Sequence, residues 1–331
     1  MYASYQKWEE FYRRIEKKAE SLIDPATGRV AASLVESIAC PFCGSHAFRT
    51  RIVKHGFTYV TCTQCSFVYV NPQLTPEAVR NVYNDEDVRE FFFRELLLPY
   101  VERDQKPEFE RRIDELKRAV RNPNPRLLDV GCAAGLFLLL ASQRGFEVEG
   151  LELNNSYVDY IKSHRPLKVQ AKLLEEVHYP HASFDVVTLW DVLEHLPNPV
   201  GTLGEVARIL KGNGVVAFTT INHNCINEKL LKAHWRYYMP PDHLCSFTPA
   251  LLHSMLHRCG FTIVNLQHQY MFEVLADVYL PFLTPKGSSN APANTLNKIN
   301  KVLYLAFTLA TQGIFNALHS GDLVTVYAKK N

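Results

Sequence analysis

A chain of 331 residues, 47% apolar and 21% charged, has room for one catalytic-size domain plus a smaller appendage, which excludes disorder and a collagen-like fibre. Thirty-six lysines and arginines against 34 acids leave a formal charge of +2, too small a bias to indicate a nucleic-acid or acidic-membrane binder. The local basic excess is confined to a patch of Arg49, Arg51 and Lys54.

Residues 1–39 read as a helical arm. Tyr5, Trp8, Phe11, Tyr12 and Ile15 fall on one stripe, and Pro25 and Gly28 stop the pattern. This amino terminus has no apolar core, so it does not resemble a secretory signal, and a reducing cytoplasm is the expected compartment. Residues 40–72 are short, β-rich and punctuated by cysteine. Residues 73–122 form a helical linker or lid that starts at the N-cap Thr75, with breaks expected at Pro99 and Pro107. The turn cluster Asn122-Pro123-Asn124-Pro125 opens the last unit, 123–331. Within it, strands near 126–130, 148–153, 167–170, 184–189, 215–220, 261–266 and 323–328 alternate with helices. Asn198-Pro199 and Thr248-Pro249 cap two of these helices. The pattern predicts an α/β fold with a doubly wound parallel sheet.

Cys40-Pro-Phe-Cys43 and Cys62-Thr-Gln-Cys65 are two knuckles whose spacing turns four thiolates onto one tetrahedral ion. Zinc is the expected metal and its role structural, since sulfur fills every position. Two disulfides or free thiols are the alternatives. His46 and His55 read as surface residues.

Leu127-Leu-Asp-Val-Gly-Cys-Ala-Ala-Gly135 is a strand, a turn and a helix start. Gly131 and Gly135 flank Cys132, Ala133 and Ala134, so backbone N–H groups can approach a ligand. Glu152 ends the next strand, where an acid would bind ribose hydroxyls. A dinucleotide fingerprint would need glycine where Ala133 and Leu136 stand, which disfavours a pyrophosphate.

These residues resemble the class I S-adenosylmethionine-dependent methyltransferases. Asp129–Gly135 is similar to the family's glycine motif, residues 184–199 to its fourth strand and loop, and residues 209–222 to its fifth strand. Residues 234–261 are similar to the substrate-side segment of small-molecule members. The cysteine module running into Cys65-Ser-Phe-Val-Tyr-Val-Asn-Pro72 is similar to that of zinc-ribbon members. The resemblance implies a Rossmann-like, seven-stranded methyltransferase sheet with a small amino-terminal zinc ribbon and helical additions. It implies S-adenosylmethionine as cofactor, with Asp129 at its amino end, the Gly131–Gly135 backbone at its carboxylate and Glu152 at its ribose. Leu153, Leu174 and Trp190 become candidates to sandwich the adenine, with Asp191 close by.

Methyl transfer needs an aligned nucleophile and often a base. His195 is the first candidate base and His243 the second, while Tyr237 and Tyr238 are placed to orient an acceptor. Asp191-x-x-Glu194-His195 is also similar to a divalent-metal run in quinone O-methyltransferases. The leading function is methylation of a small acceptor, a sugar, phenol or secondary metabolite. An RNA methyltransferase using the ribbon, and a cofactor-binding protein without catalysis, are the alternatives.

Residues 268–322 separate the last two strands as a helical insertion. They hold apolar stretches at 270–284 and 299–318, joined by the connector 286–294. A transmembrane span is rejected, because it would strand residues 323–328 across the bilayer from their sheet. The insertion is expected to pack on the core, to cover the acceptor site as an apolar lid, or to dock on a membrane surface or a second subunit.

Overall fold

The computed structural model describes residues 2–269 and 320–331. Helix α1 (Tyr2–Glu20) turns Phe11 and Ile15 inward against Val88 and Leu96 of the later helical arm. Strands β1 (Ile23–Asp24) and β2 (Arg29–Val30) pair as a short hairpin. After β3 (Val35–Glu36), the cysteine module supplies β4 (Phe48–Lys54), β5 (Phe57–Cys62) and β6 (Val68–Val70), and β7 (Gln73–Leu74) returns to pair with β3.

The arm follows as α2 (Pro76–Tyr83), α3 (Glu86–Phe91), a π-helical stretch (Phe92–Val101) and α4 (Glu102–Ala119). Thr75 caps α2 by accepting from the Ala78 amide. The expected breaks at Pro99 and Pro107 do not occur. Pro99 sits inside the π-helical stretch, whose wider turn accommodates a residue without an N–H. Pro107 lies within α4, which is held by its buried residues Arg112, Ile113 and Leu116.

The main sheet is built from β8 (Arg126–Val130), α5 (Leu136–Gln143), β9 (Glu147–Leu151), α6 (Asn155–His164), β10 (Lys168–Gln170), α7 (Leu174–Val177) and β11 (Phe184–Trp190). It continues through α8 (Pro199–Ile209), β12 (Leu210–Ile221), α9 (Ile226–Leu231), β13 (Cys245–Ser246), α10 (Pro249–Arg258), β14 (Phe261–Gln269) and β15 (Leu323–Lys330). Seven strands run in the order β10-β9-β8-β11-β12-β15-β14, and β15 is antiparallel to both its neighbours. Gly212-Asn213-Gly214 lies inside β12. There the register jumps from Phe184↔Leu210 to Val186↔Val215, so the extra residues bulge out of the ladder.

Side chains alternate across the sheet. Val187, Leu189, Val216 and Phe218 enter one core, while Val186, Trp190, Val215 and Ala217 enter the other. If the cysteine module were an independent unit, it would have a core of its own. Instead Cys40, Val60, Cys62, Phe67 and Tyr69 belong to the same core as Leu128, Val187 and Phe218. Phe57, Tyr59, Val68 and Val70 pack with Ile221, Leu231, Trp235 and Tyr238. Strand β13 also joins the module's sheet, pairing Cys245 with Tyr69 and Ser246 with Val68.

Apart from its ends, the expected insertion 268–322 lies outside the described residues; Gln267, His268 and Gln269 finish β14. Among the described residues, no helix is long and apolar enough to cross a membrane.

Candidate functional site

The carboxyl ends of β8, β9 and β11 converge where an open α/β sheet places its ligand. Gly131 (φ 76°) and Gly135 (φ 79°) adopt left-handed backbone on either side of the turn. A Cβ on Gly131 would lie 2.5 Å from Val192 Cγ2, so this glycine allows the β11 loop to approach the turn. Glu152 closes the turn from the side, its carboxylate accepting from the Ala133 amide at 3.0 Å and the Asn154 amide at 2.9 Å. The Gly131 and Cys132 amides donate to Leu151 O, at 2.8 and 3.0 Å.

Three carboxylates surround this turn. Asp129 is buried, accepts from Thr188 Oγ1 at 2.6 Å, and is raised to about 7 by burial. Burial also raises Glu152 against the opposing pull of its two amide donors. Asp191 is exposed at the surface, and surrounding protein raises its carboxyl against the opposing pull of Arg112. Buried Asp129 facing the Glu152 charge suits a cationic ligand, and the left-handed glycines let its backbone cradle form. The residues present therefore fit the methionyl and ribose portions of S-adenosylmethionine.

The expected adenine slot is not formed by the residues assigned to it. Leu174 is buried in one core and Trp190 in the other, on opposite faces of the sheet, so they do not make two sides of one slot. Trp190 packs edge-on against Phe137 under the Arg112 guanidinium. The Cys132 side chain is buried against the Gly150 backbone, away from the cleft. Leu153 remains partly exposed beside Glu152. A cavity of about 420 Å³ opens between the arm and α6, lined by residues including Asn84, Arg89 and Asn154, one hydrogen bond away from Glu152.

On the acceptor side, His195 and His243 meet with ring centroids 4.8 Å apart. His195 Nδ1 lies 2.9 Å from Asp242 O, and His243 Nδ1 lies 2.9 Å from Tyr237 O. A carbonyl only accepts, so both Nδ1 atoms carry the proton and both Nε2 atoms keep a lone pair. Burial lowers both imidazoles, His195 to about 3 with the help of His243. Glu194 completes the group. Its Oε2 accepts from Thr220 Oγ1 at 2.8 Å, and burial plus the Asp191 charge raise it to about 8. One donor atom from each of Glu194, His195 and His243 falls within 4.8 Å of the others. The structure thus exchanges Asp191 for His243 in the acid-and-histidine set read from the sequence.

Tyr238 is not brought to this cleft. It is buried, and its hydroxyl bonds Arg51 Nε (2.7 Å) and Glu228 (2.9 Å). The sequence reading missed Tyr83 and Arg89 of the arm and also Asp242. Arg89 grips Asp242 with two hydrogen bonds (2.6 and 3.0 Å) and lies over the Tyr83 ring, which in turn meets His195 edge-on. Burial would raise Asp242, but Arg89 outweighs it and holds the carboxyl down. The adjacency of Asp242 to His243 was visible in the sequence; residues 73–122 read as a helical linker or lid, but nothing local marked Tyr83 and Arg89 as site residues.

The four cysteine sulfurs form one cluster. Cys40 and Cys65 Sγ are 3.5 Å apart, as are Cys43 and Cys62 Sγ. That is too far for a disulfide and close to the edge of about 3.8 Å in a tetrahedron with 2.3 Å zinc–sulfur bonds. Burial raises the Cys40 thiol to about 11 and raises Cys65 as well, whereas at Cys62 the Cys65 and Gln64 backbone outweighs burial and holds the thiol at about 7. The set fits zinc.

A family model described as a methyltransferase domain matches residues 101–266, half of the chain. Two similar curated proteins are each named ubiquinone biosynthesis O-methyltransferase. The one from Azoarcus sp. is 40% identical over 106 residues, 30% of this chain and 45% of that protein. The one from Hahella chejuensis is 31% identical over 179 residues, 48% of this chain and 75% of that protein. A third of the same name, from Rhodopseudomonas palustris, is matched over 64% of its length. The chain therefore spans between about half and three quarters of these relatives. Among solved structures, a SAM-dependent methyltransferase from Archaeoglobus fulgidus matches with a TM-score of 0.49 and 18% identity, over 72% of this chain and all of that one.

Proposed function

Given that the chain belongs to the class I S-adenosylmethionine-dependent methyltransferases, we propose that it methylates a hydroxyl of a small acceptor held between the glycine turn and the His195–His243 pair. The observation that carries this reading is the pair itself: two neutral imidazoles with free Nε2 lone pairs at the strand ends beside Glu194. The names of the curated relatives support oxygen as the methylated atom.

Bound S-adenosylmethionine supplies the electrophilic methyl group. Glu152 holds the ribose hydroxyls, and Asp129 and Asp191 compensate the positive charge. His243 takes the acceptor proton on Nε2. His195, lowered to about 3, holds a proton poorly and serves better as an acceptor-orienting neighbour. Tyr83, Arg89 and the arm wall off water.

Expected turnover losses are about 100-fold for His243→Ala and smaller for His195→Ala, both with cofactor affinity retained. Glu152→Ala should weaken cofactor binding by roughly 1–3 kcal/mol. Initial-rate assays with labelled cofactor and a catechol probe, together with calorimetry, check all three; near-wild-type rates in both histidine variants would remove the base assignment.

A second reading is favoured by the three converging donors: a divalent cation on Glu194, His195 and His243, with both Nδ1 atoms fixed by carbonyls as ligand histidines usually are. In that case the two histidine variants lose turnover alike, and activity follows added magnesium after mild chelation.

A pH dependence follows from Asp129. Its folded value, raised from 3.8 to about 7, means that the empty protein carries this proton below neutrality. A cationic ligand favours the carboxylate, so binding expels the proton. Affinity for S-adenosylmethionine is expected to rise roughly tenfold between pH 6 and 8. Calorimetry at pH 7 in two buffers of different ionisation enthalpy should register proton release; uptake would contradict the assignment.

A further inference from the structure

The loop Tyr237–Leu244 spends its backbone carbonyls in two directions. Toward the cleft, Tyr237 O fixes the His243 ring and Asp242 O fixes the His195 ring. Away from it, the next two carbonyls are taken by the cysteine module. Tyr59 OH donates to His243 O at 2.8 Å, and the Val70 amide donates to Leu244 O at 2.8 Å. β13 then extends the module's sheet directly. Tyr59 is 1% exposed and packs on Tyr238 with centroids 4.8 Å apart. Tyr238 is itself pinned by Arg51 of β4.

We propose that Tyr59 is a positioning residue for the acceptor site: from the metal-binding module, its hydroxyl clamps the His243 backbone and so sets where the His243 imidazole stands. The functional consequence rests on the methyl-transfer reading above; the positional one does not. A buried carbonyl without a donor is costly, and the loop relaxes to find one. His243 carries its ring on the residue whose carbonyl is clamped, so a backbone shift reaches Nε2 directly. Misplacing a reacting group by about an ångström is enough to slow a reaction heavily. The module, remote in sequence, thereby forms the back wall of the site.

The test uses full-length, zinc-loaded Tyr59→Phe, which keeps the buried ring and removes the clamp. Tyr69→Phe is the control, because the Tyr69 hydroxyl on the neighbouring strand is buried with no hydrogen-bond partner among the described residues. The primary readout is the nitrogen-15 resonance pair of the His243 ring, assigned by its disappearance in His243→Gln. In Tyr59→Phe it should move, in Tyr69→Phe it should not, and S-adenosylmethionine affinity should stay within about twofold in both. With catechol as probe acceptor, kcat should fall roughly tenfold in Tyr59→Phe, with a smaller change in KM. An unmoved His243 resonance overturns the proposal whatever happens to the rate, and a moved resonance with unchanged kcat overturns the positioning role. If the wild type methylates no probe, the functional reading fails while the resonance still decides the clamp.

Discussion

Cys62→Ser is expected to abolish metal binding and to unfold the cysteine module and the main sheet together in one transition. A module with a core of its own would leave the sheet downstream of residue 123 standing. The structure argues otherwise. Cys62 is 1% exposed and shares a core with Leu128, Val187 and Phe218. Strands β5 and β6 cover Ile221, Trp235 and Tyr238, and β13 is paired to β6. If the set holds zinc, its loss would leave three thiols crowded without an ion and free a wall of the core. Metal ligation supplies much of the folding free energy of small ribbons, so a loss of roughly 5 kcal/mol or more is expected. Metal analysis should find no zinc, and a melt followed by circular dichroism should show one shifted transition. A melt in which most of the sheet signal survives at the wild-type temperature would mean that the shared core contributes little.

Gly131→Arg is expected to reduce S-adenosylmethionine affinity more than a thousandfold. The simple expectation is that the new side chain fills ligand space. The geometry supplies a stronger cause. Gly131 sits at φ 76°, which an L-residue adopts at a cost of about 1–2 kcal/mol. Its Cβ would collide with Val192, directly after Asp191 and shortly before Glu194 and His195. Either the turn or the β11 loop must move, and both carry the site. Gly131→Ala separates the causes, since it adds the strain and the Val192 contact without the arginine's length. Calorimetry with S-adenosylmethionine checks both variants, and full affinity in Gly131→Arg would place the cofactor elsewhere.

What was legible in the sequence was local. The knuckle spacing brought four sulfurs together, the caps Asn198 and Thr248 accept from Gly201 and Leu251 amides, and Gly131 and Gly135 carry the left-handed backbone they suggested. Apolar runs alternating with helical patterns located the strands, and the family resemblance implied that they form one seven-stranded sheet, as they do. What escaped was tertiary. Arg89 and Asp242 are far apart in sequence and meet only because the arm folds over the strand ends. Leu174 and Trp190 looked like one slot because sequence does not reveal that they lie under different faces. The merged core did leave a trace. Phe57, Tyr59, Val60, Cys62, Phe67, Val68, Tyr69 and Val70 are apolar without alternation, the mark of strands covered on both faces.

The strand order β12-β15-β14 imposes a schedule on self-assembly. Among the described residues, β14 (to Gln269) pairs in the sheet only with β15, which begins at Leu323. Until that distant segment inserts, β12 has an open flank and β14 has nothing to register against. Bringing together strands so far apart in sequence carries an entropic toll before any ladder bond repays it. The parallel half, from β10 to β12, can therefore condense early around the glycine turn, and the far flank becomes the slow step. During that interval the unpaired edge of β12 is the surface on which two nascent molecules would stick.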